Sequence, residues 1–256
     1  MIRFVINLDR SKDRWNDISR ILKDKDISVD RVSGVDGTRL TQQELQATVE
    51  PLNSWRKEGF PKELTPGEVG CFLSHRNCWQ RFLQTDEKWA LILEDDLVLS
   101  DRAPQYMKSE DWIPPEVNII QLHSLVPEKI FSIGAGVIHL GEGADLVQPI
   151  RPIPLGTQCY LISRNAAEYA LRKSKKIPAP VDEFLFSPLF EFAKSFPIWR
   201  IDPCIVIPSK SESEIGSKMR TSISPLWIRF GLRRTLGKAN NQIRHWVCKK
   251  RLLSFK

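Results

Sequence analysis

Apolar positions along the chain follow two spacings, one suited to strands and one to helices. Ile2-Arg-Phe-Val-Ile6 is a short apolar run that predicts a buried strand. Trp15, Ile18, Ile21 and Leu22 then share one face of a helix for which Ser11 is the expected N-cap. A short strand is expected near Val29–Val32, then the turn Val35-Asp36-Gly37, and residues 41–60 read as an irregular helical connection. Thr65-Pro66-Gly67-Glu68 is a helix start, with Thr65 at the N-cap, Pro66 in the first turn and Glu68 closing a capping box. Val69, Phe72, Leu73, Trp79, Phe82 and Leu83 recur behind it at helical spacing. Trp89-Ala-Leu-Ile-Leu93 is continuously apolar, as in a strand covered on both faces, and it runs into Glu94-Asp95-Asp96. Further strands are expected at 117–122, 134–140, 157–162 and 198–207. Helices are expected from Asn165 to Lys173, capped by Ser163, and around 182–194. Strands alternating with helices predict an α/β fold, with a mostly parallel central sheet flanked by helices.

Composition narrows the class. The chain has 256 residues, 41% hydrophobic and 27% charged, which excludes disordered, collagen-like and coiled-coil proteins. No apolar run approaches the roughly 20 residues needed to span a bilayer, and the opening apolar stretch is too short for a signal-peptide core. The five cysteines (71, 78, 159, 204 and 248) are odd in number and lack CxxC spacing, which predicts reduced thiols in a cytoplasmic protein. The net charge of +7 is unevenly placed: eleven basic residues and no acidic one follow Glu214. Of 38 basic residues, 27 therefore remain in 1–214 against 31 acidic ones, a net of −4. The division expected is one domain over residues 1–214 and a basic, amphipathic helical extension over 215–256.

Three carboxylates at the end of a buried strand emerge where open α/β sheets bind ligands. In extended backbone Glu94 and Asp96 point one way and Asp95 the other, so two carboxylates can share a hard divalent cation. The alternative is a solvated acidic turn. Neither GxGxxG, GxxxxGK[ST], GxSxG nor HExxH occurs, which argues against dinucleotide dehydrogenases, P-loop enzymes, α/β-hydrolases and zincins.

Several blocks together resemble family 25 of the glycosyltransferases, the bacterial lipooligosaccharide galactosyltransferases related to collagen galactosyltransferases. They are Val5-Ile-Asn-Leu-Asp-Arg-Ser-Lys-Asp-Arg14, Val35-Asp-Gly37 and Leu64-Thr-Pro-Gly-Glu-Val-Gly-Cys-Phe-Leu-Ser-His75. Ala90-Leu-Ile-Leu-Glu-Asp-Asp96, Gly156-Thr-Gln-Cys-Tyr-Leu-Ile-Ser163 with Ala166, and Pro180-Val-Asp-Glu-Phe-Leu185 follow in family order. The resemblance implies a GT-A type fold, a UDP-sugar donor and Mn²⁺ (or Mg²⁺). The triplet then looks like that fold's DXD element with Glu94 in place of the first Asp. Asp96 is the direct metal ligand, Glu94 a second ligand or a water-mediated one, and Asp95 faces the donor ribose or sugar.

Asn7, Asp9, Arg10, Arg14, Asp36 and His75 are the candidate donor-site residues; capping and ordinary exposed charge are the alternative for the first five, and a satisfied structural group for His75. His123 is a further candidate. Asp182 matches the family's Asp in its block and is the expected base that takes the acceptor's proton, with Glu183 as substitute. Trp55, Trp199 or Tyr160 could stack on a sugar.

The expected activity is inverting, metal-dependent transfer of galactose from UDP-galactose to a terminal sugar of lipooligosaccharide. A UDP-glucose or other hexose transferase and a catalytically silent glycan-binding protein are the rivals. The basic extension predicts peripheral attachment to an anionic inner-membrane surface from the cytoplasm. Nucleic acid is not an expected partner, because the excess charge is confined to the extension.

Overall fold

A computed structural model describes residues 1–51, 63–125, 130–151, 155–209 and 249–252. The first part of the chain runs β1 (Ile2–Asn7), α1 (Lys12–Asp24), β2 (Asp30–Ser33), a 3₁₀ turn (Gly37–Arg39), α2 (Gln42–Thr48) and α3 (Pro66–Leu83). Next come β3 (Trp89–Glu94), β4 (Leu97–Leu99), α4 (Ala103–Met107), β5 (Ile119–Gln121), β6 (Ile130–Gly141), β7 (Ala144–Arg151) and β8 (Cys159–Ser163). It finishes with α5 (Arg164–Lys173), α6 (Val181–Phe186), α7 (Glu191–Ser195), β9 (Trp199–Asp202), β10 (Val206–Pro208) and β11 (Lys249–Leu252). Nine strands form one sheet in the order β11-β6-β7-β9-β5-β8-β3-β1-β2, and β4 pairs with β10 beside it.

The expected α/β domain is present, but its sheet is mixed rather than mostly parallel. β1 runs parallel to β2 and β3, and β5 to β9, whereas β8 lies antiparallel between β3 and β5. β6 and β7 form an antiparallel hairpin around Gly141-Glu142-Gly143, all three at positive φ. Such a turn returns the chain at once and needs no crossover helix.

The middle strands carry core on both faces. Val5, Leu91, Leu93 and Leu161 pack with Ile18 and Leu22 of α1 and Tyr106 of α4 on one side. Phe4, Ala90, Ile92, Tyr160 and Ile162 pack with α3, α5, α6 and α7 on the other. Two-sided burial is why these strands read as unbroken apolar runs. Each fully buried large side chain contributes about 1.5–3 kcal/mol relative to exposure.

Local signals account for most boundaries. Thr65 and Glu68 form the capping box that starts α3, and the Ser163 hydroxyl caps α5. Ser11 stands at the start of α1, but its side chain makes no capping bond; its carbonyl instead accepts from Asn7 at 3.0 Å. The single helix expected over 182–194 is two, α6 and α7, separated around Pro188, which cannot donate to a helix. The strand expected over 198–207 is likewise divided at Pro203, into β9 and β10. Of the helical connection expected over 41–60, α2 covers its start and 52–62 lie outside the described residues. The helical extension expected over 215–256 lies almost wholly outside them too. Lys249–Leu252 form a strand paired antiparallel with β6, not a helix.

Candidate active site

The sheet register brings the chemistry together. Ile6 pairs with Glu94 and Asn7 with Ser33, so β1, β2 and β3 all deliver their C-terminal ends to one edge. β1 has β2 on one side and β3 on the other, which makes its end a switch point where a ligand crevice opens. β8 begins at that edge: the Glu94 N–H donates to the Gln158 carbonyl at 2.9 Å. Residues after β1, after β3 and before β8 therefore meet there.

Asn7 is buried and organises its neighbours. Its amide nitrogen donates to Asp95 at 2.7 Å, and its carbonyl oxygen accepts two bonds from Arg31 at 2.7 and 2.9 Å. Arg14, from the first turn of α1, reaches Asp95 at 2.9 Å and Asp96 at 2.7 Å. Arg31 also donates to Asp9 at 2.8 Å, and the Ser33 hydroxyl to Asp9 at 2.7 Å. These two partners hold the Asp9 carboxyl below its ordinary range. Asp36 caps the 3₁₀ turn through Thr38 and pairs with Arg10; Thr38 and Arg10 together keep it low against the opposing effect of burial.

The neighbouring acids of the triplet titrate in opposite directions. Burial pushes Glu94 up, but the adjacent His75 ring and the Thr157 hydroxyl, which donates at 2.7 Å, outweigh it and hold the carboxyl below normal. Asp96 is pushed up to about 6 by burial and by the charge of Glu94 and Asp95, against the pull of Arg14. Its Oδ1 is buried with no hydrogen-bond partner. An orphaned carboxylate oxygen beside a second carboxylate fits a hard divalent cation, which would satisfy the oxygen and reverse the repulsion. Glu94 and Asp96 thus offer the expected donor set.

His75 reaches this edge on α3. The helix docks through glycine: a Cβ on Gly70 would stand 2.4 Å from the Val35 carbonyl oxygen and 2.6 Å from the Gly37 nitrogen. The Ser74 hydroxyl accepts from the Val35 N–H at 2.8 Å and donates to the Gly70 carbonyl at 2.7 Å. The His75 ring is fully buried, with Nδ1 3.0 Å from the Tyr160 hydroxyl and Nε2 3.6 Å from Glu94. Tyr160 also accepts from the Trp79 indole at 3.0 Å.

Asp182 and Glu183 open α6, where Asp182 accepts the Glu183 N–H at 2.9 Å. The charge of Asp182 bears on the thiol of Cys71, as do those of Glu94, Glu68 and Asp96; after burial, these acids keep that thiol protonated. α6 packs through Phe184 on Phe72 of α3, the helix that also carries Cys71 and His75. His123 is buried, its Nδ1 3.0 Å from the Cys159 carbonyl, and burial with the nearby Arg200 lowers it to about 4, so it is neutral at pH 7. Tyr160 and Trp199 are core residues and unavailable for stacking on a sugar, and Trp55 lies outside the described residues.

Sequence reasoning missed Cys71, Arg31 and Thr157. Only Cys71 carried a signal, since it stands four residues before His75 and so on the same helix face.

Several curated proteins are similar to the chain over much of its length. Procollagen galactosyltransferase 1 of Danio rerio is 29% identical over 245 residues, covering 88% of this chain and 39% of its own length. The lipooligosaccharide biosynthesis protein lex-1 of Haemophilus influenzae is 25% identical over 170 residues, 62% of this chain and 55% of its own. The lacto-N-neotetraose biosynthesis glycosyltransferase LgtB of Neisseria meningitidis is 25% identical over 173 residues, 60% of this chain and 62% of its own. The chain thus spans about two fifths of the animal relative, whose matched share is 39%. The family described as Glycosyltransferase family 25 (LPS biosynthesis protein) matches residues 1–185, from β1 to α6. With the triplet, Asn7, Asp9, Arg10, Arg14, Asp36, His75 and Asp182 all inside that match, the chain belongs to glycosyltransferase family 25.

Proposed function

We propose that this chain is an inverting glycosyltransferase that moves galactose from UDP-galactose to a terminal sugar of a lipooligosaccharide or lipopolysaccharide core. The observation that carries the reading is the Glu94–Asp96 pair at the switch point, with its partnerless Asp96 oxygen. The family description and the names of the animal and Haemophilus relatives support the sugar and glycan classes.

Asp96 and Glu94 would hold Mn²⁺ (or Mg²⁺), which when bound supplies positive charge to a diphosphate leaving group. Arg14, already bridging Asp95 and Asp96, adds a fixed cation at the same place. Asp95, oriented by Asn7 and Arg14, faces the donor's ribose or sugar, and Asp9, Arg10 and Asp36 line the nucleotide side. Asp182 takes the proton from the acceptor hydroxyl as it attacks the anomeric carbon. The reading is tested with a panel of UDP-sugars against lactose, glucose and N-acetylglucosamine, in Mn²⁺ and in chelator. Mn²⁺-dependent galactose transfer is expected; transfer of another hexose reassigns the donor, and no turnover on any pair by folded protein overturns the reading.

The extension after Glu214 is the proposed attachment to an anionic membrane facing the cytoplasm, on the strength of its eleven basic residues and interleaved Trp227, Phe230 and Trp246. Salt-sensitive co-sedimentation with anionic vesicles, absent with neutral ones, is the expected result.

A further inference from the structure

We infer that Cys71, His75 and Glu94 form a second metal site, beside the Glu94–Asp96 pair, that selects a borderline-soft divalent ion such as Zn²⁺. Cys71 and His75 stand one turn apart on α3, and that face of the helix meets the end of β3. The Cys71 sulfur, a His75 ring nitrogen and a Glu94 carboxylate oxygen all lie within 4.8 Å of one another. Among the described residues no other group of three such side chains is as close.

A second observation points into the same space. Nε2 of His75 is buried and has no hydrogen-bond partner, and it faces Glu94 at 3.6 Å. Zinc bonds of about 2.0–2.3 Å in a tetrahedron set donors about 3.5 Å apart, so His75 and Glu94 already stand at that spacing and the Cys71 sulfur needs to close by at most about 1 Å. The ring is already supported from behind by the Tyr160 hydroxyl on Nδ1, and Glu94 by Thr157, as outer partners support metal ligands elsewhere.

The donor chemistry sets the selectivity. Mn²⁺ and Mg²⁺ favour oxygen, whereas a thiolate with an imidazole favours Zn²⁺ and its neighbours. Binding expels the Cys71 thiol proton and moves the imidazole proton from Nε2 to Nδ1, which then donates to the Tyr160 oxygen as the phenol proton turns away. Glu94 belongs to both sites, so an ion on Cys71 and His75 competes for it with an ion on Asp96. The inference stands apart from the transferase reading, because ion binding is measured without turnover.

Titration of the full chain with Co²⁺ tests it. One equivalent should give a thiolate-to-cobalt charge-transfer band with tetrahedral visible bands. The charge-transfer band should be lost in Cys71→Ser, kept in Cys248→Ser, which removes the thiol outside the described residues, and kept in Asp96→Asn. A missing band, or one that survives Cys71→Ser, overturns the site. X-ray absorption of the Zn²⁺-loaded Cys248→Ser protein checks the result with Cys71 intact: one sulfur at about 2.3 Å is expected, and an oxygen and nitrogen shell alone refutes the site.

Discussion

The hydroxyl of Tyr160 and Nδ1 of His75 lie 3.0 Å apart, and neither side chain is exposed to solvent. An indole N–H can only donate, so the phenol oxygen accepts from Trp79 and turns its own proton toward Nδ1. The network thereby assigns the ring proton to Nε2, facing the Glu94 carboxylate, in the metal-free protein. One buried phenol sets the charge environment of the triplet's first acid.

Tyr160→Phe removes that hydroxyl and strands two buried nitrogens, on His75 and Trp79. Stability should fall by about 2–6 kcal/mol, since each of the two unsatisfied buried groups costs about 1–3 kcal/mol. Urea denaturation would show a lower midpoint at unchanged slope. A midpoint equal to that of the parent would mean that the hydroxyl bonds contribute nothing net.

Asp96 gives a pH dependence with a definite sign. Its carboxyl titrates at about 6 in the folded chain, above the ordinary 3.8, so the folded protein keeps a proton that the unfolded chain has lost. Stability from this group is complete below pH 4 and is lost as pH rises through 6. Asp96→Asn removes the loss: without divalent ions its melting temperature should exceed the parent's at pH 8 by the equivalent of about 1–3 kcal/mol, and the two should converge near pH 4. Mn²⁺ should then stabilise the parent and leave the variant unchanged, as thermal scans with and without the ion would record.

Asp182→Asn keeps the shape of the side chain and its bond from Glu183, but removes the proton acceptor. Turnover should drop by about 10²–10⁴-fold with donor affinity little changed. Calorimetry with UDP, run beside steady-state kinetics, separates the two effects. Loss of UDP binding at normal saturated turnover would make Asp182 a donor ligand.

Gly70→Ala would set a methyl against backbone at 2.4 Å from Val35 and 2.6 Å from Gly37. Overpacking of this kind costs about 1–3 kcal/mol. Because α3 carries Cys71 and His75, ion binding should weaken along with stability. Equal melting temperatures for the two proteins would show that the 35–37 loop yields freely.

The two halves of the fold differ in how openly the sequence shows them. β3 was legible because core on both faces leaves no polar position from Trp89 to Leu93, β1 because only Arg3 interrupts its apolar run, and α3 because its capping box and apolar face agree. Strand direction was not: nothing in Cys159–Ser163 itself distinguishes an antiparallel neighbour of β3 from a parallel one. β4 has only three residues, too few for a period to register, whereas the longer apolar run around β5 showed it. At the site, the carboxylates stood out as a run, whereas the nearness of Cys71 to Glu94 exists only after α3 has packed on β3. Arg31 occupies an exposed strand position that any polar residue could fill, and only the fold reveals its bonds to Asn7 and Asp9.

The placement of β8 between β3 and β5 bears on how the chain is made. β1 and β2 are released early in synthesis and are close in sequence, but β3 keeps one bare edge until residues 159–163 have left the ribosome. For the intervening stretch the nascent chain exposes the unpaired backbone of an apolar strand, the kind of edge that other chains or chaperones capture. Glu94 gains its bonds to Thr157 and Gln158 only when this late, distant strand inserts. A chain stalled before β8 has the triplet but lacks the Thr157 and Gln158 partners that hold its first acid.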